Sequence, residues 1–341
     1  MELKYALLEK KYEKNESNYL RFGTCSMQGW RARMEDSYIN EINIGDKKQY
    51  NIFGIFDGHR GKETSQFVKN HFIEELLLND NFKKEENICL ALKETFFKMD
   101  ELMLSSKGKK ELIQLHSQSL KDDIKLKEKN IILKLPFQPL THYNSGCTAC
   151  ICIIDILNKT IYFANVGDSK GILIKNNIAK KITSEHNSYN LNENKRIINA
   201  GGIILDNRIY YNNGLINVSR SLGDLDFKRN KNLSKENQII TSEPDIFVEK
   251  FNEGDFIILC CDGVWECFDN VQEIYGFIKD NLNNEKNYCG IINSNLSYDN
   301  CDLSKIIGKM FDCIVAKNMD GNFSGFDNMS CICIQIKNNL N

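Results

Sequence analysis

Proline is scarce in this chain, with three residues in 341, so no proline-rich linker divides it. No apolar run approaches the roughly 20 residues that a membrane-spanning helix needs. The N-terminal stretch "MELKYALLEKKYEK" lacks the apolar core of a signal peptide, and Glu2 stands where N-myristoylation requires glycine. These absences predict an intracellular protein, cytoplasmic, nuclear or both, without membrane insertion.

Net charge is also nearly absent, since 44 basic and 46 acidic residues leave a formal charge of -2. A chain without a positive excess has no electrostatic reason to bind nucleic acid or an anionic membrane. With 42% hydrophobic and 26% charged residues, the composition is that of a soluble globular protein with a sizeable core. We expect a monomer that does not bind nucleic acid.

A second CxxC pair, which would complete a structural zinc site, is missing. The pair Cys147 and Cys150 belongs to "CTACICIID", which alternates like a strand, so zinc is the less favoured interpretation. The chain has thirteen cysteines, and several lie in apolar, β-branched runs, which indicates buried free thiols. Those in such runs are Cys147, Cys150, Cys152, Cys260, Cys261, Cys331 and Cys333.

Short apolar runs bounded by turn residues predict strands, several of them neighbours in sequence with short connections. Such connections favour antiparallel sheets, and segregated helices favour an α+β fold with helices on the outer faces. The predicted strands are 50–56, 147–156, 160–166, 171–174, 256–261 and 331–336. The predicted helices are 63–78, 88–104, 191–200, 271–282 and 303–317.

Two segments have the composition of insertions. "SSKGKKELIQLHSQSLKDDIKLKEKN" is charged and shows no clear apolar stripe, and "NNEKNYCGIINSNLSYDN" is rich in asparagine. Both compositions are typical of surface loops or excursions. We expect inserted surface segments at about 105–143 and 283–301.

Three aspartates stand at the ends of predicted strands. Asp57 and Asp262 each follow a strand and precede a glycine, and Asp327 comes just before a third strand. A pair of hard divalent cations needs bridging and terminal carboxylates, and Gly58 would let a backbone carbonyl approach an ion. Taken alone, "FDGHRG" is equally compatible with an ordinary polar turn.

The N-terminal stretch "SMQGWRARMEDSY" adds an arginine two positions after a glycine, followed by the acidic pair Glu35 and Asp36. An arginine beside a metal pair can hold a phosphate through two parallel hydrogen bonds. On its own, "RARMED" is also compatible with a solvated run of charge.

Taken in order, nine motifs resemble those of the protein phosphatase 2C family, the metal-dependent serine/threonine protein phosphatases. The resemblance implies a four-layer α/β/β/α sandwich, two antiparallel sheets flanked by helices, with a dinuclear metal site at one edge. It implies a catalytic domain at 22–337 preceded by an N-terminal extension, 1–21. The motifs are "GWRARMED", "FDGHRG", "SGCTA", "NVGDSK", "RIINAGG", "NGLINVSRSLGD", "SEPD", "CCDGVWE" and "FDNMS".

The resemblance also implies a ligand set. Asp57 would bridge two Mn²⁺ or Mg²⁺ ions, Gly58 would coordinate one of them through its carbonyl, and Asp262 and Asp327 would bind the other. Two further acidic residues would act largely through metal-bound waters, Glu35 and Asp36.

Further roles follow from the same resemblance. Arg31 matches the phosphate-binding position, and His59 matches the proposed general acid, which a poor alkoxide leaving group needs. Asp168 and Glu266 resemble the pair that holds a third, weaker metal ion. Glu266 stands where the family usually has aspartate, and "GDSK" has Lys170 where it usually has arginine.

The predicted function is hydrolysis of phosphoserine and phosphothreonine in phosphoprotein substrates by a metal-activated water. One alternative is a pseudophosphatase, a binding module that would be expected to lack at least one of Asp57, Asp262 and Asp327, all of which are present. A two-metal nuclease is the second alternative, and the near-neutral charge counts against it.

Overall fold

The computed structural model describes residues 5–128, 145–212, 214–292, 301–318 and 324–338. These ranges contain both strands and helices. In chain order the strands are β1 (Leu7–Glu16), β2 (Leu20–Gly29), β3 (Ser37–Ile44), β4 (Tyr50–Phe56), β5 (Gly58–His59), β6 (Gly146–Cys147), β7 (Ala149–Asp155), β8 (Thr160–Val166), β9 (Lys170–Lys175), β10 (Ile178–Lys181), β11 (Ile203–Leu205), β12 (Arg208–Tyr211), β13 (Gly214–Ile216), β14 (Leu222–Gly223), β15 (Asp245–Lys250), β16 (Phe256–Cys260) and β17 (Met329–Ile336).

The α-helices begin and end close to the predicted positions where their apolar spacing is regular. In chain order they are α1 (Glu63–Leu78), α2 (Asp80–Lys83), α3 (Ile88–Leu104), α4 (Ser106–Glu128), α5 (Leu191–Asn199), α6 (Asp262–Trp265), α7 (Val271–Ile292) and α8 (Leu303–Ile314). None of the helices in the described ranges has the length and apolarity needed to cross a membrane.

Two antiparallel sheets form the centre of the molecule. The six-stranded sheet has the order β1-β2-β17-β16-β9-β10, and the five-stranded sheet has the order β15-β8-β7-β4-β3. Helices α1 and α3 pack on the five-stranded sheet, and α7 and α8 pack on the six-stranded sheet. The structure thus confirms the α+β class and the four-layer sandwich.

The burial of strand β4 on both faces shows why the central strands appear in the sequence as continuous apolar runs. Successive side chains of a strand point to opposite faces, and both faces of β4 are covered. Phe53 and Ile55 lie in the core that includes the six-stranded sheet, whereas Ile52 and Phe56 lie in the core with α1 and α3. The same alternation buries the cysteines: all seven predicted buried thiols are buried and free.

The sheet continues N-terminally beyond the residues predicted as the catalytic domain. Strand β1 pairs along β2, with Tyr12 opposite Cys25. Its sequence is charged and its side chains are mostly exposed, as is common for an edge strand, so it carries no apolar alternation to reveal it. The boundary between 21 and 22 stays a prediction, and residues on both sides of it share one sheet.

The first predicted insertion is not a surface loop over its described part. Residues 106–128 form helix α4, which packs against α1 and α3. Its inner face mixes the apolar Leu112 with Ser119 and Asp123, all buried. Because polar side chains occupy half of the buried stripe, the sequence shows no apolar period there.

The second predicted insertion is also partly helical. Helix α7 was expected to end at residue 282 but continues to Ile292. Residues 293–300, the remainder of the asparagine-rich stretch, lie outside the described residues, as do 129–144 of the first insertion.

A smaller unit, formed by α5 and the sheet of β11, β12 and β13, has its own apolar core. Buried Glu193 joins it to the segment between β13 and β14. The Glu193 carboxylate accepts hydrogen bonds from Arg196 Nη1 at 2.6 Å, Ser219 Oγ at 2.6 Å and Arg220 Nη2 at 2.7 Å. Burial opposes ionisation of Glu193, but the hydrogen bond and charge of Arg220 and the charge of Arg196 lower its pKa to about 2.

Replacing Glu193 with glutamine is expected to destabilise the protein by about 3 kcal/mol at neutral pH, because two buried guanidinium groups lose their shared counter-charge. The folded pKa of about 2 lies below the ordinary value of 4.5, so this stabilisation is complete above pH 4.5 and is lost as the pH falls towards 2. Urea unfolding of both proteins at pH 7 and at lower pH measures the difference.

Glu101→Gln is the matched control, since Glu101 pairs with Lys235 at the surface. It should change the free energy of unfolding by less than about 0.5 kcal/mol. A difference between wild type and Glu193→Gln that stayed constant down to pH 3 would contradict the predicted linkage.

Candidate active site

One pair of carboxylates lies at the end of the five-stranded sheet. Asp36 immediately precedes β3, and Asp57 immediately follows β4. The two strands are antiparallel with Ser37 opposite Phe56, so both aspartates emerge at the same end of adjacent strands. The register of one hairpin therefore brings the "RARMED" and "FDGHRG" motifs together.

The six-stranded sheet supplies a second pair in the same way. Asp262 opens α6 just after β16, and Asp327 comes just before β17. These strands are antiparallel with Cys260 opposite Cys331, which sets the two aspartates side by side. Asp57, Asp262 and Asp327 all line one cleft, between the ends of the two sheets.

The electrostatics show how closely these groups meet. Burial, followed by repulsion from Asp262, Asp36 and Asp327, raises the pKa of Asp57 well above its ordinary value. Burial and the charge of Asp327 likewise raise the pKa of Asp262. Burial raises the pKa of Asp36 to about 7. Such a cluster costs free energy unless cations neutralise it.

The residues fit a hard metal cation. Both carboxylate oxygens of Asp36 are buried, and atoms of Asp36, Asp57 and Cys261 that could bind a metal lie within 4.8 Å of one another. Burial and nearby carboxylates raise the pKa of Cys261 well above its ordinary value. Its Sγ donates to the Asn328 carbonyl at 3.4 Å and accepts from the Ser330 backbone N–H at 3.2 Å. The remaining ligands are oxygens, which suit Mg²⁺ or Mn²⁺.

Gly58 lies where a side chain would not fit. A Cβ there would lie 2.3 Å from the carbonyl oxygen of Glu35, so the backbone at Gly58 packs directly on the acidic loop. The Glu35 backbone N–H donates to Asn328 Oδ1 at 2.8 Å, which ties that loop to the six-stranded sheet. Burial raises the pKa of the Glu35 carboxyl. The metal roles of Gly58 and Glu35 stay predictions.

The two arginines of "GWRARMED" have different partners. Arg31 forms an ion pair with Asp327, and its side chain is 60% exposed in the cleft. Arg33 is held by Asp123 of helix α4, with Arg33 Nε 2.9 Å from Asp123 Oδ1. Arg31 is therefore the more accessible of the two for an incoming anion, whereas Arg33 fixes the inserted helix beside the cleft.

His59 contacts a carboxylate that the sequence did not indicate as part of the site. His59 Nε2 lies 2.7 Å from Asp224 Oδ2, and Asp224 is fully buried. Arg220, in the same motif as Asp224, pairs with Glu193 and Asp245. The "SLGD" motif contains Asp224, but nothing in the sequence relates it to His59, which lies 165 residues away.

Of the two residues predicted to hold a third metal, Asp168 lines the cleft, whereas Glu266 follows α6 and is exposed. The Trp265 indole Nε1 donates to the Asp168 carbonyl at 3.0 Å, so α6 and the Asp168 loop are in contact. Burial raises the pKa of Asp168 well above its ordinary value, and the charges of Asp262 and Glu266 act in the same direction. Lys170 lies over the Trp265 ring, 3.1 Å from its centre, and pairs with Glu185 at 3.3 Å.

The cleft has a volume of about 660 Å³ and combines acidic, basic and apolar walls. The acidic floor is faced by Arg31 and His59, and the far wall comes from the smaller unit, through Arg208 and residues 215–218. A site of this kind can hold cations at the floor and an anionic group above them.

Comparison with known proteins agrees with this geometry. The family model for protein phosphatase 2C matches residues 20–319. "Probable protein phosphatase 2C 4" of Paramecium tetraurelia is 36% identical over 323 residues, covering 94% of each chain. "Probable protein phosphatase 2C 60" of Arabidopsis thaliana is 32% identical over 346 residues, covering 97% of this chain and 90% of the other.

A solved structure shows the same fold. The crystal structure of a phosphatase from a pathogenic strain of Toxoplasma gondii matches with a TM-score of 0.69 and 20% sequence identity, covering 96% of each chain. The family model and the curated relatives each span most of the sequence. The chain therefore belongs to the protein phosphatase 2C family of metal-dependent serine/threonine protein phosphatases.

Proposed function

We propose that this phosphatase hydrolyses phosphoserine and phosphothreonine at a dinuclear Mn²⁺ or Mg²⁺ centre held by Asp57, Gly58, Asp262 and Asp327. The observation that carries the proposal is the convergence of partly buried carboxylates from two sheets beside an accessible arginine. Bound ions would supply Lewis acidity and a nucleophilic water of lowered pKa. Glu35 and Asp36 would hold further waters of the centre.

Arg31 binds the substrate phosphate in this proposal. Burial works against its charge, but Asp327, Asp262 and Asp57 together raise the pKa of its guanidinium, so it stays charged. The ion pair with Asp327 holds the guanidinium above the carboxylates. Its other N–H groups can donate to two phosphate oxygens in parallel, which would orient phosphorus towards the floor of the cleft.

His59 gives a proton to the leaving oxygen. It lies in the same cleft as Arg31, and its ring is 26% exposed, so a substrate can reach it. A serine alkoxide is a poor leaving group and gains from a proton as the phosphorus–oxygen bond breaks. Asp168 and Glu266 would hold a weaker third ion at the side of the cleft, and their charges already act on each other.

The proposed function is tested by comparing a phosphoserine peptide with single-stranded nucleic acid, each with and without Mn²⁺. Metal-dependent release of phosphate from the peptide alone is expected. Cleavage of the nucleic acid would favour a two-metal nuclease. No hydrolysis of either substrate would favour a pseudophosphatase.

His59→Gln should lower turnover of a phosphoserine peptide by about 100-fold, while turnover of an aryl phosphate should change little. The aryl leaving group is stable as an anion, so only the peptide needs the proton. His71→Gln is the matched control, because His71 lies outside the cleft on α1 and pairs with Glu111. Equal losses on both substrates would remove His59 from the acid role.

A further inference from the structure

We propose that Asp224 is a positioning residue for His59: it holds one ring nitrogen and directs the other towards the leaving oxygen. This inference rests on the proposed function, since it matters only if His59 protonates a leaving group. Two features carry it, the direct contact of 2.7 Å between Asp224 Oδ2 and His59 Nε2 and the complete burial of Asp224.

A small sheet brings His59 and Asp224 together. It has three strands of two residues each, in the order β14-β6-β5. In its middle strand Gly146 stands opposite His59 on one side and Gly223 on the other. A Cβ at Gly146 would lie 2.0 Å from Asp224 Oδ2 and 2.5 Å from His59 Nε2. The absence of a side chain at Gly146 therefore leaves the gap that the carboxylate and the imidazole share.

Asp224 is itself held firmly. Ser221 Oγ donates to Asp224 Oδ2 at 2.6 Å, and the Asp224 backbone N–H donates to the Ser145 carbonyl at 3.0 Å. Its backbone has φ of 47°, in the left-handed region that residues other than glycine seldom adopt. Such strain is found where the surrounding structure fixes a conformation, often at a functional site.

Asp224 also stays ionised. Burial alone would raise its pKa, but the charge and hydrogen bond of His59 and the charge of Arg60 lower it. Two further charged groups lie near this pair: Arg60 is 3.7 Å from Asp224 Oδ1, and the charge of His59 acts on the Glu35 carboxyl. Asp224 is in hydrogen-bond contact with His59, so it sets the orientation of the ring.

A purely structural role for Asp224 is already filled by another residue. Asp100 of α3 accepts a hydrogen bond from the Gly223 backbone N–H at 2.8 Å and one from Lys228 Nζ at 2.6 Å. These bonds fix the loop on both sides of Asp224 without touching His59. The loop therefore has an anchor, and the Asp224 carboxylate is left to act on the imidazole.

The chemical step balances within this pair. In the imidazolium form, Nε2–H of His59 donates to Asp224, and Nδ1–H points to the leaving oxygen. As the phosphorus–oxygen bond breaks, the leaving oxygen keeps the bonding electrons and takes the Nδ1 proton. His59 becomes a neutral imidazole with its Nε2 proton still donated to Asp224, which remains a carboxylate throughout.

The test compares Asp224→Asn, His59→Gln and the double variant on a phosphoserine peptide and on an aryl phosphate. Asp224→Asn should lower kcat on the peptide by about 100-fold and leave the aryl phosphate nearly unchanged, as His59→Gln does. The double variant should lose no more than about twofold beyond His59→Gln alone, because both changes remove one function. Thermal unfolding of each variant accompanies the kinetics.

Asp100→Asn is the matched control, because it weakens the same loop without contacting His59. It should lower the unfolding temperature while affecting both substrates equally. If Asp224→Asn does not fold, Ser221→Ala serves instead, since it loosens the Asp224 carboxylate and should show the same preference for the peptide at a smaller loss.

The outcomes separate the two proposals. Equal losses of Asp224→Asn on both substrates, or additive losses in the double variant, would overturn the role of Asp224 while His59→Gln still shows its selective effect. If His59→Gln itself shows no selective effect, the acid role in the proposed function fails first.

Discussion

Asp57→Asn is expected to abolish phosphatase activity, with turnover of a phosphoserine peptide falling on the order of 1,000-fold. Asp57 is the one carboxylate proposed to contact both ions, so the change removes charge from each at once. It should be more damaging than Asp262→Asn, which affects a single ion. Initial rates at saturating Mn²⁺ measure both variants. If Asp57→Asn kept near-normal turnover while Asp262→Asn was inactive, the assignment of Asp57 as the ligand shared by both ions would be wrong.

The same change is expected to stabilise the metal-free protein. Burial and the charges of neighbouring aspartates raise the pKa of Asp57 well above its ordinary value, so its ionised form is unfavourable in the fold. Asparagine removes that repulsion, and the unfolding temperature in chelator should rise. Asp155→Asn is the control: Asp155 is buried and accepts hydrogen bonds from Asn158 at 3.1 and 2.7 Å, so its loss should lower stability and leave activity intact.

Removing divalent cations is the second change with a large expected effect. Exhaustive chelation should reduce hydrolysis of phosphoserine peptide to background, and added Mn²⁺ or Mg²⁺ should restore it. The physical reason is that carboxylates form the floor of the cleft and repel one another. Among the described residues, Arg31 is the one side-chain cation that forms an ion pair with them. Full activity after chelation would contradict the metal assignment.

Metal addition should also raise the unfolding temperature, which gives a readout independent of activity. A ligand at a hundredfold excess over its Kd stabilises a protein by about 2.7 kcal/mol. The shift should be much smaller in Asp57→Asn and unchanged in Asp155→Asn. An equal shift in all three proteins would indicate that the cations bind elsewhere.

Apolar strands were predictable from the sequence, whereas polar ones were not. Strands β4, β7, β8 and β16 are covered on both faces, so each appears as a continuous apolar run with clear ends. Strands β1, β3 and β15 have exposed faces and charged residues, and none of them was predicted. Helix α4 was missed for a related reason, since its buried face is partly polar.

The sequence by itself determined the family, the fold class and three aspartates of the cleft. Asp57, Asp262 and Asp327 were predictable because each of them stands next to an apolar strand whose end is visible in the local sequence. Only the tertiary structure decided which neighbours those residues have. Arg33 pairs with Asp123 and His59 with Asp224. These pairs join segments 90 and 165 residues apart, and their geometry depends on helix packing and on the gap at Gly146. No local pattern records such contacts, since they arise from strand register and layer packing in three dimensions.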